Sequence, residues 1–215
     1  MNKFSIFFFA LFTITFFSCS NDDDVSNPPE EEANYFALKV GNSWKYNVYR
    51  FNGTTSEYEE QDIVITNTIT GTEIINDETY FIFETTSVGN DECQLCLDEL
   101  GNKSVRDSLG YLVDNTGVKR FTTQSEAPYL LIQQDFGKIF GQYQSTITTA
   151  QTPAGSFSDV DTNTYFLEFN DGSISEGEDS SFYREKEGLI AKTISFVTSP
   201  DPLYILTLLE SNISD

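Results

Sequence analysis

The chain contains no histidine. That absence removes Ser-His-Asp triads, Cys–His pairs, histidine-ligated zinc and imidazole acid–base catalysis together. Catalysis, if any, would rest on carboxylates, Tyr, Lys, Ser or a thiol. Basic residues are scarce: 12 Lys and Arg face 34 Asp and Glu, a net charge of −22. A surface of that sign repels phosphate backbones and excludes nucleic acid as a partner. Cysteine is limited to Cys19, Cys93 and Cys96. The apolar run from Phe4 to Phe17 is shorter than the roughly 20 residues that cross about 30 Å of hydrocarbon as a helix. There is no internal repeat and no long capped helical stripe.

What is present begins with a targeting segment. Lys3 supplies a positive start, and the apolar run that follows is interrupted only by Ser5, Thr13 and Thr15. Its length predicts a cleaved signal rather than a transmembrane anchor. Phe16-Phe17-Ser18 lacks the small-x-small pattern of ordinary cleavage, while Cys19 stands where a lipid-bearing first residue would stand. The expected organisation is a signal peptide over 1–18, an acidic flexible tether over 19–34 and a single β domain over 35–215. The tether carries Asp22-Asp23-Asp24, Pro28-Pro29 and Glu30-Glu31-Glu32, a composition that stays extended and unpacked. Removing 18 of 215 residues leaves 197, and losing Lys3 leaves 11 basic against 34 acidic groups, a net −23. So acidic a surface also repels anionic headgroups, and the membrane is held through N-terminal acyl chains, several of which anchor stably where one does not.

The rest reads as strands and turns. Trp44, Tyr46, Val48 and Phe51 follow Gly41-Asn42 in a largely alternating pattern, and Asn52-Gly53 signals a hairpin. Ile63 and Ile65 face one way on the return strand. Asn76-Asp77, Asp114-Asn115-Thr116-Gly117 and Asn170-Asp171-Gly172 mark further turns. The stretch from Tyr129 to Phe140 fits a strand or a short helix, because a short apolar run does not separate the two. The pattern predicts an all-β fold, a single curved antiparallel sheet or partly open β-barrel, with a β-sandwich as the alternative.

Three constellations could carry chemistry. With Cys19 taken by lipid, Cys93 and Cys96 are the remaining thiols. A thioredoxin-type site needs a strand–helix setting and zinc needs four ligands, and neither is in sight. An oxidising compartment then favours a Cys93–Cys96 disulfide, whose short ring would contribute about 2 kcal/mol. Asp159, Asp161 and Asn163 have the spacing that opens a calcium loop, but Thr164 replaces the turn glycine and Asn170 the bidentate Glu, so solvated turns are the ordinary reading. Asp171, Glu176, Glu178 and Asp179 form a second acidic loop. Trp44, Tyr46 and Tyr49 could stack on sugars, although a strand position makes core packing their ordinary role. No catalytic residue and no cofactor is assigned.

Two groups of residues resemble a known family. Cys19-Ser20-Asn21-Asp22-Asp23-Asp24 is similar to the signal that sends lipoproteins of the Bacteroidota to the outer face of the outer membrane. Tyr35-Phe36-Ala37-Leu38-Lys39-Val40-Gly41-Asn42-Ser43-Trp44-Lys45-Tyr46 resembles the opening of flavobacterial-type surface lipoproteins, with its Gly-Asn-x-Trp-x-Tyr core. Thr152-Pro153-Ala154-Gly155-Ser156-Phe157 and Glu187-Gly188-Leu189-Ile190 match how such proteins continue. The resemblance implies a curved antiparallel sheet akin to periplasmic lipoprotein carriers, an outer-membrane, lipid-anchored and surface-exposed location, and no transferable catalytic residue. Asp107-Ser108-Leu109 resembles the short O-glycosylation site of exported proteins in that phylum, with Ser108 as acceptor.

The functional expectation is a membrane-anchored, non-enzymatic binding or structural module whose ligand or protein partner is unknown. The alternatives are a carrier of lipid or other apolar ligands in an open barrel and a carboxylate-based glycan hydrolase. A continuous apolar cavity of roughly 300–1,000 Å³ favours the carrier. Two facing carboxylates about 5–9 Å apart favour the hydrolase.

Overall fold

The computed structural model describes residues 34–89, 101, 103–124, 127–147 and 149–214. Among them every regular element is a strand: β1 Ser43–Asn52, β2 Glu57–Ile75, β3 Glu78–Gly89, β4 Ser104–Ser108, β5 Tyr111–Asp114, β6 Lys119–Thr122 and β7 Tyr129–Gln134. Then follow β8 Gly137–Ile147, β9 Ala150–Thr152, β10 Gly155–Phe157, β11 Val160–Phe169, β12 Asp179–Arg184, β13 Gly188–Ile194 and β14 Tyr204–Asn212. Twelve of them form one antiparallel sheet in the order β6-β5-β4-β3-β2-β1-β14-β13-β12-β11-β8-β7. It consists of two meanders joined where the first strand pairs with the last, Ser43 opposite Asn212. β9 and β10 make a separate hairpin.

Alternation builds the inner face. Trp44, Tyr46 and Val48 on β1, Ile63, Ile65 and Ile69 on β2, and Leu206 and Leu208 on β14 are all buried, while Lys45 pairs with Glu210 on the outer face. The curled sheet nearly closes into a barrel, and a single continuous sheet rules out the sandwich alternative. The segment from Tyr129 to Phe140 resolves into two strands with a turn at Asp135-Phe136. Gly141 explains part of this: a Cβ there would meet the Tyr129 ring at 2.5 Å, so the bare backbone lets β7's first side chain fold across β8.

The β6 and β7 edges share no ladder, and side chains from β11 join them. Asn163 is fully buried. With its amide oriented by its neighbours, Nδ2 donates to the Thr122 carbonyl at 2.8 Å, and Oδ1 accepts the Thr122 N–H at 2.9 Å and the Tyr129 hydroxyl at 2.8 Å. The Tyr165 hydroxyl donates to the Arg120 carbonyl at 2.6 Å. An asparagine amide presents a donor and an acceptor to an edge strand as a neighbouring backbone would.

Residues 34–42 do not form a strand. They plug the barrel. Phe36, Ala37 and Leu38 are buried, and Phe36 meets Phe121 and Tyr183 edge-on, at centroid distances of 6.0 and 5.6 Å. Asn42 holds this plug in place. Its Nδ2 donates to the Ala37 carbonyl at 2.9 Å, its backbone carbonyl accepts the Ile69 N–H at 2.9 Å, and its Oδ1 accepts the Ser214 N–H at 3.0 Å. By register, Ser43, Asn212, Gly188, Arg184 and Val160 lie at this same end of the sheet. Asn52, Tyr204, Ile194, Asp179 and Phe169 lie toward the other.

Candidate ligand-binding site

Among the described residues the lumen continues from the plug toward the other end of the sheet. A cavity of about 200 Å³ is lined by Phe83, Val105, Leu112, Leu131, Ile132, Ile139 and Leu189, by the phenols Tyr165 and Tyr183, and by Asn67, Ser181, Lys103, Arg120, Lys192 and Asp179. A smaller one of about 50 Å³ lies against Phe36 and Leu38 of the plug and shares Asn67, Phe83, Leu112, Tyr183 and Leu189 with it. Strands from both meanders contribute to the larger cavity, so it exists only when the seam is made.

The polar groups of the lumen are firmly held. Arg120 forks onto Asp114, with Nε 2.7 Å and Nη2 2.5 Å from Oδ2. Asp114 is 3% exposed. Burial alone would raise its carboxyl. The hydrogen bonds from Thr116 and from the Val118 amide, the bond from Arg120 and that residue's charge outweigh burial and hold it below the usual carboxylate range. Asp179 Oδ1 accepts the Ser195 N–H at 2.6 Å. Lys192 lies 5.8 Å from the centroid of the Tyr165 ring. Burial, with the neighbouring Tyr129, pushes the Tyr165 and Tyr183 phenols above their ordinary range, so both stay protonated donors. Among the described residues Asp179 is the only carboxylate of the lining, so they do not assemble the paired carboxylates of glycan hydrolysis in this cavity.

The residues singled out in the sequence are dispersed. Asp159 and Asp161 line an open depression of about 820 Å³ at the plugged end, together with Tyr35 and Glu187. Asp161 accepts the Tyr35 hydroxyl, the Tyr143 hydroxyl at 3.0 Å and the Thr146 hydroxyl at 2.5 Å. Burial, then the bond to Asp161, raises the Tyr35 phenol far above its ordinary value. Asn163 belongs to the seam. Among the described residues no group of three or more acidic or thiol side chains is placed to hold a metal ion. In the second acidic loop, Asp171 is exposed and accepts the Ser173 N–H and hydroxyl, which lower its carboxyl, whereas Asp179 reaches the lumen. Ser108 is half-buried beside the two-residue turn Leu109-Gly110, where both φ angles are positive, the form that suits a tight hairpin. Cys19, Cys93 and Cys96 lie outside the described residues.

Trp44 packs in the core. It is 2% exposed, stacks on Phe83 at 5.9 Å and donates through Nε1 to the Glu187 carbonyl at 2.7 Å. The Tyr46 hydroxyl donates to the Leu189 carbonyl at 3.0 Å. The cations of the lumen escape sequence reasoning, because a lone Lys or Arg in a short strand carries no signal of which face it takes. The alternation of Leu112 and Asp114 on β5 and the turn at 114–117 were the available clue to Arg120.

No protein-family model and no curated protein matches this sequence. Two solved structures share its fold. One, described as an exported protein with a YmcC-like fold from Bacteroides fragilis, superposes with a TM-score of 0.51 at 11% identity, covering 84% of this chain and 99% of that one. Another, described as a lipoprotein from Parabacteroides distasonis, gives 0.52 at 9% identity, covering 85% and 100%. At such identities the likeness is one of fold.

Proposed function

We propose that this chain is an exported lipoprotein, anchored in the outer membrane through acylated Cys19, that binds a small ligand in the open end of its barrel without transforming it. The observation that carries this reading is the lumen: about 200 Å³, mostly apolar, stopped at one end by the plug and, among the described residues, lined by a single carboxylate. Its size falls below the roughly 300–1,000 Å³ of drug-sized sites, which favours a compact ligand over a bulky lipid. The fold shared with an exported protein and a lipoprotein of the Bacteroidota supports the export signal, Cys19 and the Gly-Asn-x-Trp-x-Tyr opening as parts of one picture. Surface exposure, a Cys93–Cys96 disulfide and glycosylation at Ser108 belong to the same proposal.

The lumen is tested by filling it. Ile139 is half-buried and lines the cavity. Binding of a neutral naphthalene dye to the full chain in phosphatidylcholine nanodiscs should weaken about tenfold in Ile139→Trp, a loss of about 1.4 kcal/mol, with the circular dichroism unchanged. Equal binding by both proteins would remove the site. Mass spectrometry of native protein should find a lipid-modified Cys19 at the N-terminus.

A further inference from the structure

The lining of the larger cavity reverses the charge balance of the chain. The whole sequence has 12 basic and 34 acidic residues, whereas among the described residues the lining has three basic ones, Lys103, Arg120 and Lys192, and one acidic, Asp179. Resting on the lumen reading above, we propose that the ligand is a short anionic amphiphile, its acidic head among Lys103, Arg120 and Lys192 and its apolar tail against Leu112, Ile139 and Leu189.

An anionic head is held best by charge-assisted hydrogen bonds from cations that are already oriented. Arg120 is preset for that task. Asp114 fixes its guanidinium by two contacts, and the Tyr165 hydroxyl bonds its carbonyl. A guanidinium has five N–H donors in a planar fork, so the grip of Asp114 orients the group without exhausting it. Asp179 has its Oδ1 on the Ser195 amide, which ties it to the backbone. Tyr183 adds a neutral hydroxyl to the lining. The head therefore meets cations and the Tyr183 hydroxyl, and the tail meets aliphatic carbon. The volume of about 200 Å³, set against about 30 Å³ for each water in the liquid, holds an alkyl chain of about six to eight carbons. A diacyl lipid does not fit.

The test uses the full chain in phosphatidylcholine nanodiscs, with empty discs as the blank, and equilibrium dialysis of labelled octanoate, octyl phosphate, 1-octanol and octylammonium. Octanoate and octyl phosphate should bind, and the tighter of the two identifies the head as carboxylate or phosphate. Octanol should bind about tenfold more weakly, and octylammonium should not be retained. Acetate and inorganic phosphate, heads without tails, should fail to displace octanoate. Raising salt from about 0.05 to 0.5 M should weaken octanoate and leave octanol unchanged, a readout that needs no variant. Lys103→Gln and Lys192→Gln should each lower octanoate affinity about fivefold, sparing octanol. Octanol binding as tightly as octanoate without salt dependence would overturn the anionic head and leave the lumen reading standing. Displacement by inorganic phosphate alone would overturn the tail. Retention of none of the alkyl compounds would overturn the lumen reading itself.

Discussion

Asn42 and Gly188 show how much of the closed end rests on single residues. Asn42 joins the plug, the β2 strand and the C-terminal segment through one buried side chain and its backbone. Asn42→Ala leaves the Ala37 carbonyl and the Ser214 amide without it, and should cost about 2–3 kcal/mol in denaturant unfolding. Gly188 has φ +78°, and a Cβ there would stand 3.1 Å from Trp44 Cζ2. Gly188→Ala should therefore destabilise by about 1–3 kcal/mol, from backbone strain together with the crowded indole. At Asp114 the lowered carboxyl gives a signed pH effect. Its contribution is complete above the unfolded value of about 3.9 and is lost as pH falls through the lower folded value. The unfolding free energy of wild type should thus drop more steeply below about pH 4 than that of Asp114→Asn, measured by urea titration at a series of pH values.

At the scale of elements, the seam decides whether the sheet has free edges. Asn163→Ala removes the bonds that hold Thr122 and Tyr129 together, and hydrogen exchange at the Thr122 amide should quicken by at least tenfold, about 1.4 kcal/mol of local opening. The strands themselves were legible, because alternation in β1 and β2 reports a sheet with one buried face. The turns were legible where Asn, Asp and Gly cluster. Leu109-Gly110 was not, because a leucine at positive φ breaks the residue preference that marks such turns. Asn163 read as a calcium-loop position because its spacing from Asp161 is the same whether the segment is a loop or a strand. Only the pairing of β11 with β8 and β12 sets its side chain at the seam. The motifs behind the family resemblance, in contrast, have a shared physical cause. Trp44 needs the carbonyl of Glu187 and the missing side chain of Gly188, while the hairpin at Ala154 donates to the Leu208 carbonyl at 3.0 Å. The motifs at 35–46, 152–157 and 187–190 stabilise the barrel, and of their residues only Leu189 also lines the larger cavity. That is why the fold was readable and the ligand site was not.

Over the whole molecule, like charge opposes compactness. With a net −22, self-repulsion should be relieved by screening, so the midpoint of thermal unfolding should rise as sodium chloride increases from about 0.01 to 0.3 M. A falling midpoint would show that attractive pairs such as Arg120–Asp114 and Arg184–Glu187 outweigh that repulsion. Apart from the side-chain seam, the two meanders meet through the ladder between the first strand and the last, and Asn42 touches Ser214. The polypeptide is thus nearly a ring already, broken by chance of genetics at one point on its circumference. Splicing residue 214 to residue 34 through a short linker, and starting translation anew between β6 and β7, cuts no backbone ladder. Such a rearranged gene should still yield the same barrel, with its new ends at the seam.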